Sequence, residues 1–340
     1  MKVIIQIPCY NEEKTLSLTV AELPRTLRGV DKVEWLIIDD GCTDQTRQVA
    51  IANGVDYIAS HVRNLGLARA FLTGMEACTR LGADIIVNTD ADNQYNAADI
   101  QKLIDPILAG QAEYIIGTRP ISEIEHFSPL KKALQHFGSW VVRLLSRTDI
   151  ADTTSGFRAI TREAAVRLHV FNKYTYTIET IIQAGQSGIA TQCVPIRTNG
   201  FTRPSRLISS VPSYLKRSFS TILRSFMTYK PLTFFLTPGI FFLILAGVIG
   251  IRYLFFFFQG QGTGHIQSLL LGIMLFTLGV AGIIVGLLSD LIAVNRELLE
   301  DIHYKVRLAE LDHELTLATV VGSGRLVYRR ENASVSRKKS

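Results

Sequence analysis

The chain has 340 residues, a formal net charge of +6, 47% hydrophobic residues and four cysteines. Its apolar content excludes a disordered or collagen-like chain. Residues 1–200 contain 20 Lys and Arg against 22 Asp and Glu, whereas residues 201–340 contain 16 against 8. The basic excess therefore lies in the C-terminal part, and the first 200 residues offer no basic surface for nucleic acid. The cysteines form no Cys-x-x-Cys pair, so they indicate neither a zinc site nor a disulfide framework.

Short apolar runs alternate with amphipathic stretches through the first 200 residues. Strands are predicted over residues 3–8, 33–39, 57–60, 84–88 and 114–117, and a helix over 65–81. Strands that alternate with helices predict an α/β fold with a mostly parallel sheet and helices on both faces. Several of these strands end in carboxylates. Because open α/β sheets bind ligands at the carboxyl ends of their strands, we expect a ligand site at that edge.

Residues 205–230 differ in character from the preceding chain. Apolar side chains fall on one side of a helical wheel, and Arg206, Arg217 and Arg224 fall on the other. The range from Arg203 to Lys230 contains six basic residues and no acidic one. Such a segment is typical of a helix that lies in the membrane interface. The alternative is an ordinary helix that packs on a protein core.

Two long apolar stretches follow, at residues 232–258 and 266–292. Each is long enough to cross a hydrocarbon core about 30 Å thick, although a buried helical hairpin is the alternative. The connector at 259–265 contains no Lys or Arg, whereas both outer flanks do, so the positive-inside rule places both termini in the cytoplasm. A mixed-charge helix is predicted from residue 296 to about residue 317, and a disordered basic tail over 331–340.

The motif Asp90-Ala91-Asp92 closes the fourth predicted strand. Two carboxylates at positions i and i+2, where a strand turns into a loop, can share one divalent cation and its waters. Oxygen ligands of this kind suit Mg²⁺ or Mn²⁺ held jointly with a diphosphate, and such a metal stabilises a leaving nucleoside diphosphate as a Lewis acid. An Asp-x-Asp by itself is usually a solvated turn, so its meaning depends on the motifs around it.

Two further motifs end the first two predicted strands, Pro8-Cys9-Tyr10-Asn11-Glu12 and Asp39-Asp40-Gly41-Cys42-Thr43-Asp44. With the Asp-x-Asp they make residues 1–205 resemble the family 2 glycosyltransferases, which have a GT-A fold. Asp90-Ala91-Asp92-Asn93-Gln94 and Ser155-Gly156-Phe157-Arg158 resemble elements of the dolichol-phosphate mannose synthase branch. The two-span tail is similar to that of bacterial polyprenyl-phosphate glycosyltransferases.

The resemblance implies a domain organisation and a set of site residues. It implies a cytosolic GT-A catalytic domain at 1–204, a juxtamembrane helix at 205–230, a two-span hairpin at 231–295 and a cytoplasmic helix and tail at 296–340. The implied donor contacts are Pro8, Tyr10, Asn11, Glu12, Asp39, Asp40, Asp90, Ala91, Asp92 and Gln94. Asp90 and Asp92 would also bind the metal, and the implied catalytic residues are Asp90, Asp92, Arg119 and Asp152. Weaker matches to basic residues that face a lipid phosphate are Lys131, Arg158, Arg203 and Arg206.

Two departures from the family pattern bear on the reaction. Processive members carry Gln-x-x-Arg-Trp, and neither Trp35 nor Trp140 lies in that context, which disfavours chain-building synthesis. Members that glycosylate hydroxyl groups often present a Glu-Asp pair as the base, but here Glu179 is followed by Thr180. A phosphate acceptor is already anionic near neutral pH and needs no strong base, which accounts for the difference. Asp152 and Glu179 stay open as alternative bases.

The resemblance implies an integral-membrane transferase that moves a sugar from a nucleotide donor to undecaprenyl or dolichyl phosphate on the cytoplasmic leaflet, by one inverting displacement. A UDP-sugar is favoured over a GDP-sugar, and the sugar is not determined. The partners are the donor, the lipid acceptor and the bilayer, and the two spans are compatible with a homo-oligomer. The alternatives are a hydroxyl acceptor such as diacylglycerol or a lipid-linked glycan, a non-catalytic nucleotide-binding scaffold, and a nucleotidyltransferase.

Overall fold

The computed structural model describes residues 1–119, 150, 152–168, 176–199, 223–224, 226–227, 229–318 and 328–329. The chain forms two compact units, one made of Met1–Tyr214 with Tyr304–Ser340 and the other of Leu215–His303. Most of the predicted interfacial helix at 205–230, and the whole predicted tail at 331–340, lie outside the described residues.

An eight-stranded sheet forms the centre of the first unit. Its strands are β1 (Lys2–Cys9), β2 (Lys32–Asp39), β3 (Tyr57–Ser60), β4 (Ile85–Asn88), β5 (Tyr114–Thr118), β6 (Arg158–Thr161), β7 (Thr191–Pro195) and β8 (Tyr328–Arg329). Their order in the sheet is β7-β5-β6-β4-β1-β2-β3-β8. The five predicted strands are confirmed as β1 to β5, whereas β6, β7 and β8 were not predicted.

Helices cover both faces of this sheet, as predicted. They are α1 (Leu16–Glu22), α2 (Thr46–Ala52), α3 (Leu67–Arg80), α4 (Ile100–Leu108), α5 (Arg162–Arg167) and α6 (Thr177–Gln186). One face of β1 presents Val3 and Ile5 to a core shared with α1 and α4. The other face presents Gln6 to α3, where the Cys78 thiol donates to its Oε1 at 3.9 Å. Because both faces are covered, the central strands are continuous apolar runs.

Strand β6 is the exception to the parallel order. It lies between β4 and β5 and runs antiparallel to both. An antiparallel strand begins where its neighbours end, so the first residue of β6, Arg158, pairs with Asn88, the last residue of β4. The turn before β6 therefore lies at the carboxyl edge of the sheet, next to the Asp-x-Asp motif that follows β4.

The second unit contains two long helices, α7 (Pro231–Phe258) and the first part of α8 (Ile266–Ala318), joined by a 3₁₀ turn at Gly262–His265. Pro231–Phe258 and Ile266–Arg296 are apolar and long enough to cross a membrane. The helix predicted to start at residue 296 is not separate, because α8 continues to Ala318 without a break. The two helices pack closely at glycines: a Cβ on Gly239 would lie 3.1 Å from the Gly279 carbonyl oxygen.

Candidate active site

The loops that follow β1 and β2 are joined by side-chain hydrogen bonds. The Asn11 side-chain oxygen accepts from the Thr43 backbone N–H at 2.9 Å, and Asn11 has a left-handed backbone with φ 55°. One oxygen of Asp39 accepts from the Cys42 N–H at 2.8 Å, and the other accepts from the Ser60 hydroxyl at 3.2 Å. These bonds bring the predicted donor residues Asn11 and Asp39 to one edge of the sheet.

The other predicted donor residues near β1 differ in exposure. Tyr10 is 42% exposed at the end of β1, so its ring is accessible to a ligand. Pro8 is buried within β1. Glu12 is also buried, and one of its carboxylate oxygens accepts from the Thr15 hydroxyl at 2.9 Å. Of the side chains of Pro8, Tyr10 and Glu12, that of Tyr10 has the surface that a base or ribose would need.

The structure corrects the role expected of Asp40. This carboxylate is buried, and one oxygen accepts from His61 Nδ1 at 2.7 Å and from the Leu65 N–H at 2.9 Å. Its second oxygen accepts from the Gly66 N–H at 2.9 Å. Asp40 therefore holds the loop after β3 and the start of α3, and its carboxylate is directed into the protein instead of towards a donor.

The Asp-x-Asp motif lies where β4 enters the next loop. Asp90 is partly exposed and Ala91 between the carboxylates is buried. One Asp92 oxygen accepts from the Gln94 N–H at 3.2 Å, and Asn93 between them is left-handed with φ 58°. The tight turn orients Asp92 and Gln94 together. The predicted metal and donor residues of this motif are thus adjacent at the carboxyl edge of the sheet.

The electrostatic environment of Asp90 favours a bound cation. Although part of the residue is exposed, the surrounding protein removes water from the Asp90 carboxyl group, and this desolvation first, and then the negative charge of Asp92, raise the pKa of Asp90 to about 7. The charges of Arg119 and Arg158 and a hydrogen bond from Tyr95 lower the pKa but do not offset the increase. A carboxylate with a raised pKa beside a second carboxylate is a pair that a divalent cation stabilises in the ionised form.

The residues at this edge fit Mg²⁺ or Mn²⁺ shared with a ligand. Over the described part of the chain, no three His, Cys, Asp or Glu side chains are grouped to hold a metal ion. Asp90 and Asp92 would thus be the protein's carboxylate ligands, and water or the oxygens of a diphosphate would complete the coordination. That division is usual for Mg²⁺, which binds through one or two carboxylates and substrate phosphates.

Arg119 and Asp152 form a tight ion pair beside these carboxylates. Arg119 Nε donates to one Asp152 oxygen at 2.8 Å, and its terminal nitrogen donates to the other at 3.2 Å and to the Thr154 hydroxyl at 2.7 Å. Burial by itself raises the pKa of Asp152, but the bonds and charge of Arg119, with the Thr154 donors, lower it overall. A carboxylate held ionised in this way is a poor general base, which argues against that predicted role of Asp152.

The structure also corrects the prediction that Arg158 faces the acceptor phosphate. Arg158 is 0% exposed. Its guanidinium donates to the carbonyl oxygens of Ser155 at 2.8 Å and Thr177 at 3.1 Å, to the Thr180 hydroxyl at 2.7 Å, and to the Tyr114 hydroxyl. A buried cation must have such partners, and these fix the turn before β6 instead of binding a ligand.

Three residues behind Asp90 were not predicted to belong to the site. Asn88 donates to the Gly156 carbonyl oxygen at 2.7 Å and to the Tyr176 hydroxyl at 3.0 Å. The Tyr95 hydroxyl accepts from the Gly156 N–H at 2.9 Å. Together they hold Gly156 against Asp90. The sequence could have indicated Asn88, because it is a polar residue at the end of an apolar strand. Nothing in the sequence indicated Tyr95 or Tyr176.

The described contacts do not test four of the predicted residues. Lys131, Arg203 and Arg206 lie outside the described residues. Glu179 is partly exposed in the first turn of α6. Their predicted roles stay predictions.

Residues 4–171 match the family model for glycosyl transferase family 2. A UDP-N-acetylglucosamine–dolichyl-phosphate N-acetylglucosaminyltransferase of Methanococcus voltae is 32% identical over 214 residues, which cover 56% of this chain and 83% of the relative. The chain belongs to glycosyl transferase family 2. The polyprenol monophosphomannose synthase of Mycolicibacterium smegmatis is 28% identical to this glycosyltransferase over 206 residues, 57% of the chain and 76% of the relative.

The fold agrees with that assignment. The glucosyl-3-phosphoglycerate synthase of Mycobacterium tuberculosis, solved with Mn²⁺, UDP and phosphoglyceric acid, superposes with a TM-score of 0.53 at 19% identity. The superposition covers 66% of this chain and 78% of that one. This superposition confirms the predicted GT-A class. Membership of glycosyl transferase family 2 confirms the predicted enzyme class, so the protein is a glycosyltransferase.

Replacing Gly156 by alanine is expected to disturb the carboxylate pair of the glycosyltransferase. A Cβ there would lie 3.0 Å from both Asp90 oxygens and 3.1 Å from the Tyr176 hydroxyl. Because residues that support metal ligands typically change affinity by 10–100-fold, we expect Gly156→Ala to weaken Mn²⁺ binding by about tenfold. The measurement is a Mn²⁺ titration of the full chain in detergent. Gly247→Ala, where a Cβ meets nothing within 4 Å, is the matched control, and equal affinities in all three proteins would contradict the prediction.

Proposed function

We propose that this glycosyltransferase transfers a sugar from a nucleotide-sugar donor to polyprenyl phosphate at the cytoplasmic membrane face. The observation that carries the proposal is the adjacency of Asp90 and Asp92 to the Arg119–Asp152 pair, in a chain that also has two candidate membrane spans. Carboxylates for a metal beside a fixed arginine make a site for a diphosphate leaving group. The names of the dolichyl-phosphate and polyprenol relatives support the acceptor class.

Two sets of protein groups would stabilise the negative charge of the leaving diphosphate. Asp90 and Asp92 would hold Mg²⁺ or Mn²⁺, which supplies Lewis-acid stabilisation of the diphosphate charge. Arg119 lies close enough to Asp90 for their charges to interact, and 22% of its side chain is exposed, so it can also meet a phosphate oxygen. Asp152 and Thr154 fix its guanidinium before the donor arrives, and such preorganisation lowers the barrier because no group needs to move when charge develops.

The proposed reaction is a single displacement with inversion at the sugar. An oxygen of the lipid phosphate attacks the anomeric carbon, the bond from that carbon to the diphosphate oxygen breaks, and the nucleoside diphosphate leaves with the electron pair. The nucleophile is already anionic, so no protein base is required. This is consistent with an Asp152 carboxylate that is fully engaged with Arg119. Glu179 stays the alternative base.

A UDP-sugar is the favoured donor. The Methanococcus voltae relative is named for a UDP-sugar, and the solved synthase was crystallised with UDP and Mn²⁺. The two relatives are named for different sugars, N-acetylglucosamine and mannose, so the sugar is left undefined. In this proposal Tyr10, Asn11 and Asp39 line the nucleotide end of the site, and Gln94 lies beside the metal carboxylates.

The acceptor side of the proposal depends on the basic C-terminal part of the chain. Both candidate spans, Pro231–Phe258 and Ile266–Arg296, have basic flanks on the side away from their short connector, which supports a cytoplasmic location for the termini. Lys131, Arg203 and Arg206 are the residues proposed to bind the lipid phosphate. A bilayer concentrates the acceptor in the plane from which these basic residues would take it.

An acceptor panel tests this function. The full chain in detergent is supplied with Mn²⁺, a mixed pool of nucleotide sugars, and one of three acceptors: polyprenyl phosphate, the same lipid after phosphatase treatment, or diacylglycerol. We expect mass spectrometry to detect a glycolipid product only when the acceptor is polyprenyl phosphate. The same reaction should release a nucleoside diphosphate. A product formed equally well on the dephosphorylated lipid or on diacylglycerol would establish a hydroxyl acceptor instead. Release of inorganic diphosphate would identify a nucleotidyltransferase.

A further inference from the structure

Asp40 and His61 form a buried pair beneath the nucleotide end of the site. His61 Nδ1 lies 2.7 Å from an Asp40 oxygen, and both side chains are about 5% exposed or less. The other ring nitrogen, Nε2, lies 2.9 Å from the Thr73 hydroxyl on α3. Since a carboxylate only accepts hydrogen bonds, Nδ1 carries a proton, and in the neutral ring Nε2 then accepts from Thr73. The imidazole thus bridges the end of β2 to α3.

The loop at residues 61–66 depends on the same carboxylate. Asp40 accepts from the Leu65 and Gly66 N–H groups at 2.9 Å each, at the N-terminus of α3, where Gly66 provides no capping side chain. The negative charge of Asp40 also complements the partial positive charge of that helix end. The loop itself packs against Gly41, because a Cβ at Gly41 would overlap the Arg63 backbone.

This loop borders the residues assigned to the donor. The His61 N–H donates to the Asp39 carbonyl oxygen at 2.8 Å, and Ser60, the preceding residue, donates its hydroxyl to the Asp39 carboxylate at 3.2 Å. Asp39 in turn holds the Cys42 N–H. The loops after β2 and β3 are therefore bonded to each other through Asp39 and Asp40, and β3 runs parallel to β2, so both loops leave the sheet at the same edge.

We propose that His61 is a positioning residue for the nucleotide donor: by bonding Asp40 and Thr73 it holds the loop at 61–66 and the Asp39 carboxylate in the arrangement that the nucleoside diphosphate meets. His61 does not contact the nucleotide. The inference rests on the proposed function, because it requires that a nucleotide occupies this edge of the sheet. We therefore expect that loss of the hydrogen bond between His61 and Asp40 weakens nucleotide affinity more than loss of the hydrogen bond between His61 and Thr73 does.

Nucleotide binding by the full chain in detergent tests this inference. UDP and, in parallel, GDP are titrated with Mn²⁺ present, and thermal unfolding is recorded for each variant. Loss of a buried hydrogen bond to a charged group has a large effect, so we expect His61→Ala to raise the nucleotide Kd by about tenfold. His61→Asn, whose amide N–H can replace Nδ1, is expected to restore the Kd to within about threefold of the original protein.

Two comparisons separate positioning from a purely structural role. His61→Gln places its amide near Nε2 and loses the donor to Asp40, so it should bind nucleotide at least about fivefold more weakly than His61→Asn. The comparison of His61→Asn with His61→Gln tests the positioning role even if His61→Ala does not fold. Thr73→Val should have a smaller effect, and Thr79→Val is the control, because the Thr79 hydroxyl donates to the Glu76 carbonyl oxygen of the same helix at 2.8 Å.

The outcomes distinguish this inference from the proposed function. Equal nucleotide affinity in the unmodified chain and all His61 variants, with only the unfolding temperature changed, would overturn the positioning role and leave the function intact. Equal weakening by His61→Asn and His61→Gln would also overturn it. If the unmodified chain binds neither UDP nor GDP, the proposed donor is wrong and the inference fails with it.

Discussion

Replacing Asp92 by asparagine is expected to lower the rate of sugar transfer by about 10²–10³-fold while the protein stays folded. Asparagine keeps the size of the side chain and the oxygen that accepts from the Gln94 N–H, but it removes the negative charge that a divalent cation requires of its carboxylate ligand. The folded structure should persist because Asp92 lies in a loop after β4, and not in the core. Asp92→Ala should abolish transfer.

The measurement is incorporation of labelled sugar into polyprenyl phosphate, together with a Mn²⁺ titration and thermal unfolding of the same preparations. Asp105→Asn is the matched control: this carboxylate lies on α4, is about half exposed and pairs with Arg28 and Gln101. It should retain full transfer and Mn²⁺ affinity. An Asp92→Asn protein with the original rate at saturating Mn²⁺ would refute the assignment of the carboxylate pair.

Replacing Asp152 by asparagine is expected to destabilise the fold and to misplace Arg119. The Asp152 side chain is fully buried, so removing its charge leaves the guanidinium without its partner, at a cost of about 3 kcal/mol in unfolding free energy. Because Arg119 is the group proposed to meet the phosphates, transfer should also fall. The double variant Arg119→Gln with Asp152→Asn should transfer no more slowly than Arg119→Gln alone, because Asp152 acts on the phosphates through Arg119.

The stability difference should depend on pH with a defined sign. The pKa of Asp152 is lower in the folded state than its ordinary value, so its contribution is present above the unfolded pKa of about 4. It is lost as pH falls through the lower folded value. Urea unfolding in detergent at pH 7 and at about pH 3 should therefore show a smaller gap between Asp152→Asn and the original protein at the lower pH.

Asp99→Asn is the matched control for this prediction. Asp99 is another buried carboxylate paired with an arginine, Arg197, and although burial by itself raises its pKa, the bonds to Arg197 and Lys102 lower it to about 2. Asp99→Asn should also destabilise the protein less at the lower pH than at pH 7. Any effect of Asp99→Asn on the transfer rate should add to that of Arg119→Gln. If Asp152→Asn lowered the transfer rate and this effect added fully to that of Arg119→Gln, the result would instead support Asp152 as a catalytic base.

Much of the site could be predicted because its parts are local in sequence. Apolar runs in the sequence indicated β1, β2 and β4. The motifs that carry Asn11, Asp39 and Asp92 lie at or just after the ends of those strands. Parallel strands end at one edge, so the predicted sheet was sufficient to bring the motifs together. The two candidate spans were equally predictable, because their length and apolar content are properties of single segments.

Adjacent acidic residues show where local information ends. Asp39 and Asp40 are equivalent by motif, but neighbouring residues of an extended chain point to opposite sides. Asp40 is directed to the loop at 61–66 and His61, while Asp39 bonds Cys42 and Ser60. The direction of each carboxylate depends on the position of β3 and α3, which begin 17 and 27 residues after Asp40 in the chain.

By itself the sequence determined the family, the positions of β1 to β5 along the chain, the carboxylate pair and the two apolar helices of the C-terminal part. The tertiary structure decided what the charged residues between these motifs do. Arg158 lies in a conspicuous motif, and only the antiparallel insertion of β6 between β4 and β5 places it inside the protein against Tyr114 and Thr180. Whether a charged side chain meets solvent or protein depends on which distant segments supply its hydrogen-bond partners, and no local pattern encodes that pairing.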